Sequence, residues 1–308
     1  RYCPLRNDRD IPRCTLTPQE IANVFMEYVR RRKIFGLFLS SAVLRNPDYT
    51  MDRMVAVAKI LRRKFQYRGY IHLKIIPGAS DAAIEEALSL GSAVSLNAEA
   101  PKRSAFEMLS DKKDYDRHIV KPMKLISRLT SRGSRYAGVK QTTQFIVGAS
   151  NESDSDIVRA TFGLYRRLGL NRVYFSAYQR GLGSASLPGE RKRLSRPEDL
   201  FTREHRLYQA DFLIRKYKWD LEDVLFEPDG NLSLDVDPKQ RWAERHPEFF
   251  PVRVLSAAPE ALLRVPGIGP ITAGRIIRTR REGVLRRLKD VALRGKRLEN
   301  ASRYVVME

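Results

Sequence analysis

Cysteine is nearly missing from this sequence: two thiols, Cys3 and Cys14, stand in 308 residues. Two cannot build a disulfide framework, and a reducing, cytoplasmic location is the default that follows. Histidine is scarce as well, with four in the chain. His118, His205 and His246 each lack a second ligand at helical spacing, so no zinc site is legible. The Asp235-Val236-Asp237 stretch reads as a turn rather than a cation loop. No apolar run approaches the roughly 20 residues of a membrane helix, and no secretory segment is visible. No G-x-G-x-x-G opens a helix and no Walker A motif occurs, so neither the usual dinucleotide fold nor a P-loop is supported. No catalytic triad or pair of hydrolytic carboxylates rises above background. Acidic residues are in deficit: 36 Asp and Glu face 57 Lys and Arg, a formal charge of +21. Such an excess points first to a phosphate polymer, ahead of a solubility role or an anionic membrane surface.

What is present is an alternation. Short β-rich apolar runs recur at 36–41, 70–76, 92–97, 142–150 and 171–178, each but the last followed by a stretch with helical spacing. The first helix is marked by Thr17-Pro18-Gln19-Glu20, a capping box with proline at the first helical position. Ser80 is placed to cap the helix after the second run. Strands alternating with helices mean βα units and a parallel sheet. We read the fold as α/β, a partial (β/α) barrel with a sixth strand expected upstream of Arg1, and a small all-α domain at the C-terminus. The pattern does not by itself separate the barrel from a doubly wound sheet. The expected division is a barrel core over 1–185, a helical connection over 186–250 and a basic helical domain over 251–308. Within the connection, "LPGERKRLSRPED" is polar and rich in breakers, and Leu207, Ala210, Leu213 and Ile214 mark the buried side of a helix.

In parallel sheets the chemistry collects where strands end. Ser95, Asn97 and Glu99 alternate after the third run and share one side of the chain. Their donors, acceptors and carboxylate suit a ribose, an amino-acid carboxylate or an ammonium; a loop satisfying its own backbone is the competing reading. Tyr178, Gln179 and Arg180 beyond the fifth run, with Lys74 and Arg103, are further substrate-facing candidates or plain surface residues.

Near the end stands "APEALLRVPGIGPITAGRIIRTRR". Two helical runs, near 258–264 and 270–281, meet at Pro266-Gly267-Ile268-Gly269. The glycines permit a tight turn and close approach, Ile268 is expected to plug the core, and amides at the second helix start form an anion site. This resembles the helix-hairpin-helix motif, which grips DNA phosphates through backbone amides; a two-helix protein contact is the alternative. Gly267, Ile268, Gly269 and Thr272 carry that resemblance, with Ala273, Ile276 and Ile277 behind it. Arg264, Arg275, Arg278, Arg280 and Arg281 flank the turn and suit a duplex backbone.

"YC" followed by "NDRDIPRCTLTPQE" and "GLFLSS" resembles the radical S-adenosylmethionine enzymes. More narrowly, with "REHRLYQADFLIRKY", "DPKQRWAERHPEFFPV" and "LLRVPGIG", the chain is similar to a bacterial branch of DNA modification or repair proteins. That branch carries a C-terminal helix-hairpin-helix and is associated with uracil-DNA-glycosylase-like partners. The resemblance implies a 4Fe–4S cluster held by three cysteines spaced C-x-x-x-C-x-x-C. Cys3 stands in the place of the third, with Tyr2 the aromatic before it and lying against adenine. The other two are expected before Arg1, so the sequence is expected to be a fragment of a longer protein. Three thiolates leave one iron open for the amino and carboxylate groups of S-adenosylmethionine, whose cleavage gives a 5′-deoxyadenosyl radical. By the same resemblance Ser40 and Ser41 stand at the strand end that meets the methionine amino group. Ser95, Asn97 and Glu99 meet ribose and carboxylate, and Ile146, Val147 and Gly148 line the adenine. The implied function is a radical enzyme acting on a nucleotide flipped from duplex DNA. The alternatives are a non-catalytic DNA-binding adaptor for a repair glycosylase, or a radical enzyme acting on RNA.

Overall fold

The computed structural model describes residues 1–6, 8–192, 196 and 198–308. Asn7 of the opening motif, and Arg193, Leu194, Ser195 and Pro197 of the polar connection, lie outside the described residues. The chain divides into two compact units: Arg1–Glu152 with Arg159–Leu200, and Ser153–Val158 with Phe201–Glu308. Among the described residues no helix is long and apolar enough to cross a membrane.

The first unit is built on β1 (Gly36–Leu39), β2 (Tyr70–Lys74), β3 (Ala93–Ser95), β4 (Lys140–Val147) and β5 (Arg172–Ala177). All pairs are parallel and the strands lie side by side in chain order. A doubly wound sheet reverses its order at a switch point. Here the winding continues in one direction, which is the progression of a half-barrel. The choice that periodicity leaves open is thereby made.

Local chemistry sets the helix starts. Thr17 accepts from the Glu20 amide at 3.2 Å while Glu20 Oε2 accepts from the Thr17 amide at 2.6 Å. Asn46 caps Pro47–Lys59 by accepting from the Tyr49 amide, and Ser80 caps Asp81–Leu90 by accepting from the Ala83 amide. The helix after the first strand therefore begins before Met51, where the apolar spacing alone would start it. The polar region that reads as one long helix up to Ser131 is split instead. It forms Arg103–Leu109 and, after a loop, a π-helical turn at Asp116–Val120 leading into Lys121–Thr130.

Alternation gives the sheet two unlike faces. Leu39, Ile71, Leu73, Val94, Phe145, Val147, Val173 and Phe175 form one row and are buried. The helices Pro47–Lys59, Asp81–Leu90 and Lys121–Thr130 touch β2, β3 and β4. Each fully buried Leu, Ile or Phe contributes about 1.5–3 kcal/mol. The other row is the inner one, and its register is Phe38–His72–Ala93 and Lys74–Ser95–Thr142–Arg172.

The second unit holds Pro238–Arg245, Pro259–Arg264, Pro270–Arg281 and Gly295–Ser302, together with most of Asp199–Tyr217. A two-stranded parallel ladder joins β6 (Val252–Arg253) to β7 (Val305–Val306). Leu207, Ala210, Leu213 and Ile214 are buried, as their spacing predicts. Val252, Leu262, Val265, Ile268, Ile276, Leu288 and Ala301 are among the residues of its main core. Two of the three isolated histidines are engaged locally: His246 stacks on Trp242 at 4.2 Å, and His118 Nδ1 accepts from the Asp114 amide, while His205 is exposed. Asp237 caps its helix through the Lys239 and Gln240 amides, as a turn residue should.

Candidate functional site

At the C-terminal mouth of the half-barrel the third strand breaks off after Ser95. The Thr143 hydroxyl donates to the Leu96 carbonyl and accepts from the Ala98 amide, taking over from the ladder. Glu99 then adopts a left-handed backbone with φ +64°. It is pinned there because its amide donates to Gln144 O and its carbonyl accepts from the Ile146 amide. A non-glycine residue held so costs about 1–3 kcal/mol, and such strain gathers at functional sites.

The opening segment is tied across this mouth. The Ser184 amide donates to Arg1 O, Arg6 Nη1 donates to Leu182 O and Arg9 Nη2 to Gly181 O. Tyr2 and Glu99 are thereby brought side by side, close enough for each to shift the other's ionisation. Burial raises the Glu99 carboxyl above its ordinary range, while the Tyr2 hydroxyl, Lys74, Lys113 and Asn97 pull it back. Burial, then the Glu99 charge, pushes the Tyr2 phenol well above its ordinary value of 10, so the phenol keeps its proton. Cys3 follows, half-buried, with the Leu5 amide 3.4 Å from Sγ. Tyr2→Phe is expected to cost about 1–3 kcal/mol, because a buried carboxylate loses a donor. It is also expected to move the Glu99 titration further up, since that donor is the largest influence holding it down. Infrared titration of the carboxyl band reads the shift.

Ser95 and Asn97 are buried as Glu99 is, and Asn97 bears on the Glu99 carboxyl. Of the expected adenine wall, only Ile146 lies in the inner row, opposite Ser176. Val147 is turned the other way into the outer core, as period-two alternation requires, and is fully buried. Gly148 has φ +87°, and its amide donates to Glu152 Oε1 at 2.5 Å. Ser40 is exposed beyond β1, and the Ser41 hydroxyl donates to Ala42 O. The Tyr178 hydroxyl donates to Glu190 at 2.6 Å, and Glu190 also accepts from the Gly181 and Gly183 amides. Arg180 caps the same stretch through Glu190 O, Gln179 is exposed, and Arg103 pairs with Asp116.

Apart from Lys74, the sequence reading does not single out the side chains of the inner row below this mouth. Phe38, Tyr70 and Tyr174 stand 58%, 43% and 45% exposed there, around His72. Phe38 meets the His72 ring edge-on at 4.7 Å, and Arg172 lies over Tyr174 at 5.5 Å. The alternation Tyr70-x-His72-x-Lys74 is visible in the sequence and was the available signal. His72 Nε2 is buried with no hydrogen-bond partner among the described residues. Burial, with Lys74 nearby, pulls this imidazole down to about 4. The unfolded chain takes up that proton near pH 6.5, the folded one does not, so stability is lost as pH falls between those values. The loss reaches about 3 kcal/mol at the low end. Urea midpoints from pH 7 to 4 should show it, and His72→Phe should flatten the slope.

In the second unit, Pro259–Arg264 and Pro270–Arg281 are joined by a tight turn. Gly267 has φ +86°, and a Cβ there would stand 2.3 Å from Arg297 O, so only glycine fits. Ile268 is 1% exposed and plugs the core. Pro270 is the first helical residue and no side chain caps the helix. The amides of Gly269, Ile271 and Thr272 have no partner among the described residues. Arg275, Arg278 and Arg281 are exposed along the second helix. Arg264 is turned inward, with 21% of its side chain exposed. Its guanidinium lies 4.3 Å from the Trp219 ring and 4.5 Å from Trp242, and donates to Asp223 at 2.7 Å. Cation–π contact and an ion pair hold it inside. Arg280 is likewise engaged, donating to Val254 O and Ala257 O.

Among the described residues no group of three or more His, Cys, Asp or Glu side chains is arranged to hold a metal ion. No family model matches the chain, and no curated protein does. Among solved structures it is similar to the crystal structure of HydG, a maturase of the [FeFe]-hydrogenase, at 14% identity and a TM-score of 0.49. The match covers 70% of this chain and 46% of that one, so the chain spans less than half the length of the protein it matches.

Proposed function

We propose that this chain is part of a radical S-adenosylmethionine enzyme that modifies or repairs duplex DNA. The observation that carries this reading is the Tyr2–Glu99 contact, because it brings the Tyr-Cys pair to the strand mouth that carries the buried Ser95, Asn97 and Glu99. The residues fit the amino-acid end of such a cosubstrate: a buried carboxylate suits an ammonium, and the Ser95 and Asn97 side chains suit hydroxyls or a carboxylate. They supply one thiol toward a cluster that needs three. When bound, the cluster and S-adenosylmethionine would supply a radical for hydrogen abstraction. Tyr2 lies against Glu99, and the Leu5 amide donates to Cys3 Sγ. The hairpin amides and the exposed arginines of the second unit support a duplex phosphate backbone as the partner. A uracil-DNA-glycosylase-like protein is the partner that the sequence resemblance adds.

The test is the full-length protein purified without oxygen. Brown colour, bound iron and sulfide, and release of 5′-deoxyadenosine on reduction with S-adenosylmethionine are expected, with Cys3→Ala lowering the iron content. Colourless protein without iron would overturn the enzymatic reading and leave a DNA-binding adaptor.

A further inference from the structure

Lys239 stands in the first turn of Pro238–Arg245 and is 8% exposed. Its Nζ donates to the Ile268 carbonyl at 2.5 Å and lies 4.7 Å from the centroid of the Tyr217 ring. Taking an ammonium out of water is costly, and a leucine or methionine would fill this place without that cost. Nothing in the helix requires it either, since Asp237 already provides the cap.

What the ammonium touches gives it a use. The Ile268 carbonyl and the Gly269 N–H belong to one planar peptide. A positive charge on the oxygen of an amide polarises the group and strengthens its N–H as a donor. The Gly269 N–H is one of the unpartnered amides at the hairpin turn. The opposite sides of the turn are fixed as well. The Arg297 carbonyl closes on Gly267, and the Tyr217 hydroxyl stands 3.2 Å from where a Cβ on Gly269 would be.

We infer that Lys239 is a positioning residue for phosphate binding: it fixes the Ile268–Gly269 peptide with its N–H outward and lends its charge to the anion held there. The inference rests on the reading of the hairpin as a DNA-gripping element. It adds a group that neither the motif nor the arginine count contains.

The role is readable through pH. Burial brings the Lys239 ammonium down to about 7, with Asp237 opposing that shift and Arg264 adding to it. Tyr217, at the end of Asp199–Tyr217, is raised by burial and faces Arg297 of Gly295–Ser302. These are the charged or titratable groups around the site. A bound phosphate favours the protonated amine. Affinity for duplex DNA is therefore highest below pH 7 and falls as pH rises through it.

The experiment is fluorescence-anisotropy titration of the full chain with a short duplex from pH 6 to 8.5 at fixed salt. The wild type should weaken by about fivefold across that window, the effect of one nearby charge at intermediate dielectric. Lys239→Met should bind about fivefold less tightly at pH 6 and show a flatter profile, and Lys239→Arg should hold its affinity at pH 8.5. Should Lys239→Met fail to fold, the Lys239 Nζ titration followed by NMR in the wild type decides. A midpoint that rises on DNA binding supports the role, and an unchanged midpoint removes it. Arg275→Ala with Arg278→Ala separates the two levels. If that pair leaves binding untouched, the hairpin reading fails. If it weakens binding while Lys239→Met matches the wild type at every pH, only the role of Lys239 falls.

Discussion

Asp154→Ala is expected to lower stability by about 3–5 kcal/mol, the usual cost of removing one member of a buried ion pair. The carboxylate is fully buried, and Arg203 Nε donates to it at 2.6 Å with 9% of its own side chain exposed. The second oxygen accepts from the Leu232 amide at 2.9 Å. Deleting the carboxylate removes a counter-charge from a buried guanidinium, where solvation cannot replace it, and takes the acceptor from the Leu232 amide as well. Burial raises this carboxyl above its ordinary range despite Arg203, so the pair stabilises less than its geometry suggests. Asp154→Leu combined with Arg203→Met should therefore recover much of the loss, because two apolar side chains avoid both desolvation costs. Urea unfolding of the single and double variants tests this. Additive losses in the double variant would mean that the two charges are not coupled.

That pair had no signature in the sequence, since nothing local links Asp154 to a residue on a later helix. The elements themselves were legible for a local reason. Each strand is a short β-rich run, and the helices at Pro18, Pro47, Asp81 and Pro238 carry their own side-chain caps. Ser95, Asn97 and Glu99 were legible because alternation needs no tertiary information. The same alternation puts Val147 and Ile146 on different faces of the sheet. The left-handed turn at Glu99 and the split of the polar helix depend on bonds to β4 and on loop geometry, which composition does not encode. Arg264 reads as a phosphate contact because it flanks the hairpin turn in the sequence. Trp219 and Trp242, which draw it inward, come from other elements.

The salt dependence of DNA binding carries the consequence of that last correction. Five arginines flank the hairpin in the sequence, and as many phosphates would give a slope of log K on log salt near −4.5. Arg264 is committed to two tryptophans and Asp223, and Arg280 to the Val254 and Ala257 carbonyls. Arg275, Arg278 and Arg281 remain exposed. Three neutralised phosphates give a slope of about −2.7, so raising salt from 50 to 200 mM should weaken binding by about 40-fold. Arg275→Ala or Arg278→Ala should reduce the slope by about one. Arg264→Ala should leave the slope alone and lower the unfolding midpoint instead, because it empties a space between two indole rings. A steeper slope that Arg264→Ala reduces would place that guanidinium on the duplex after all, and a flat titration would remove the phosphate grip altogether.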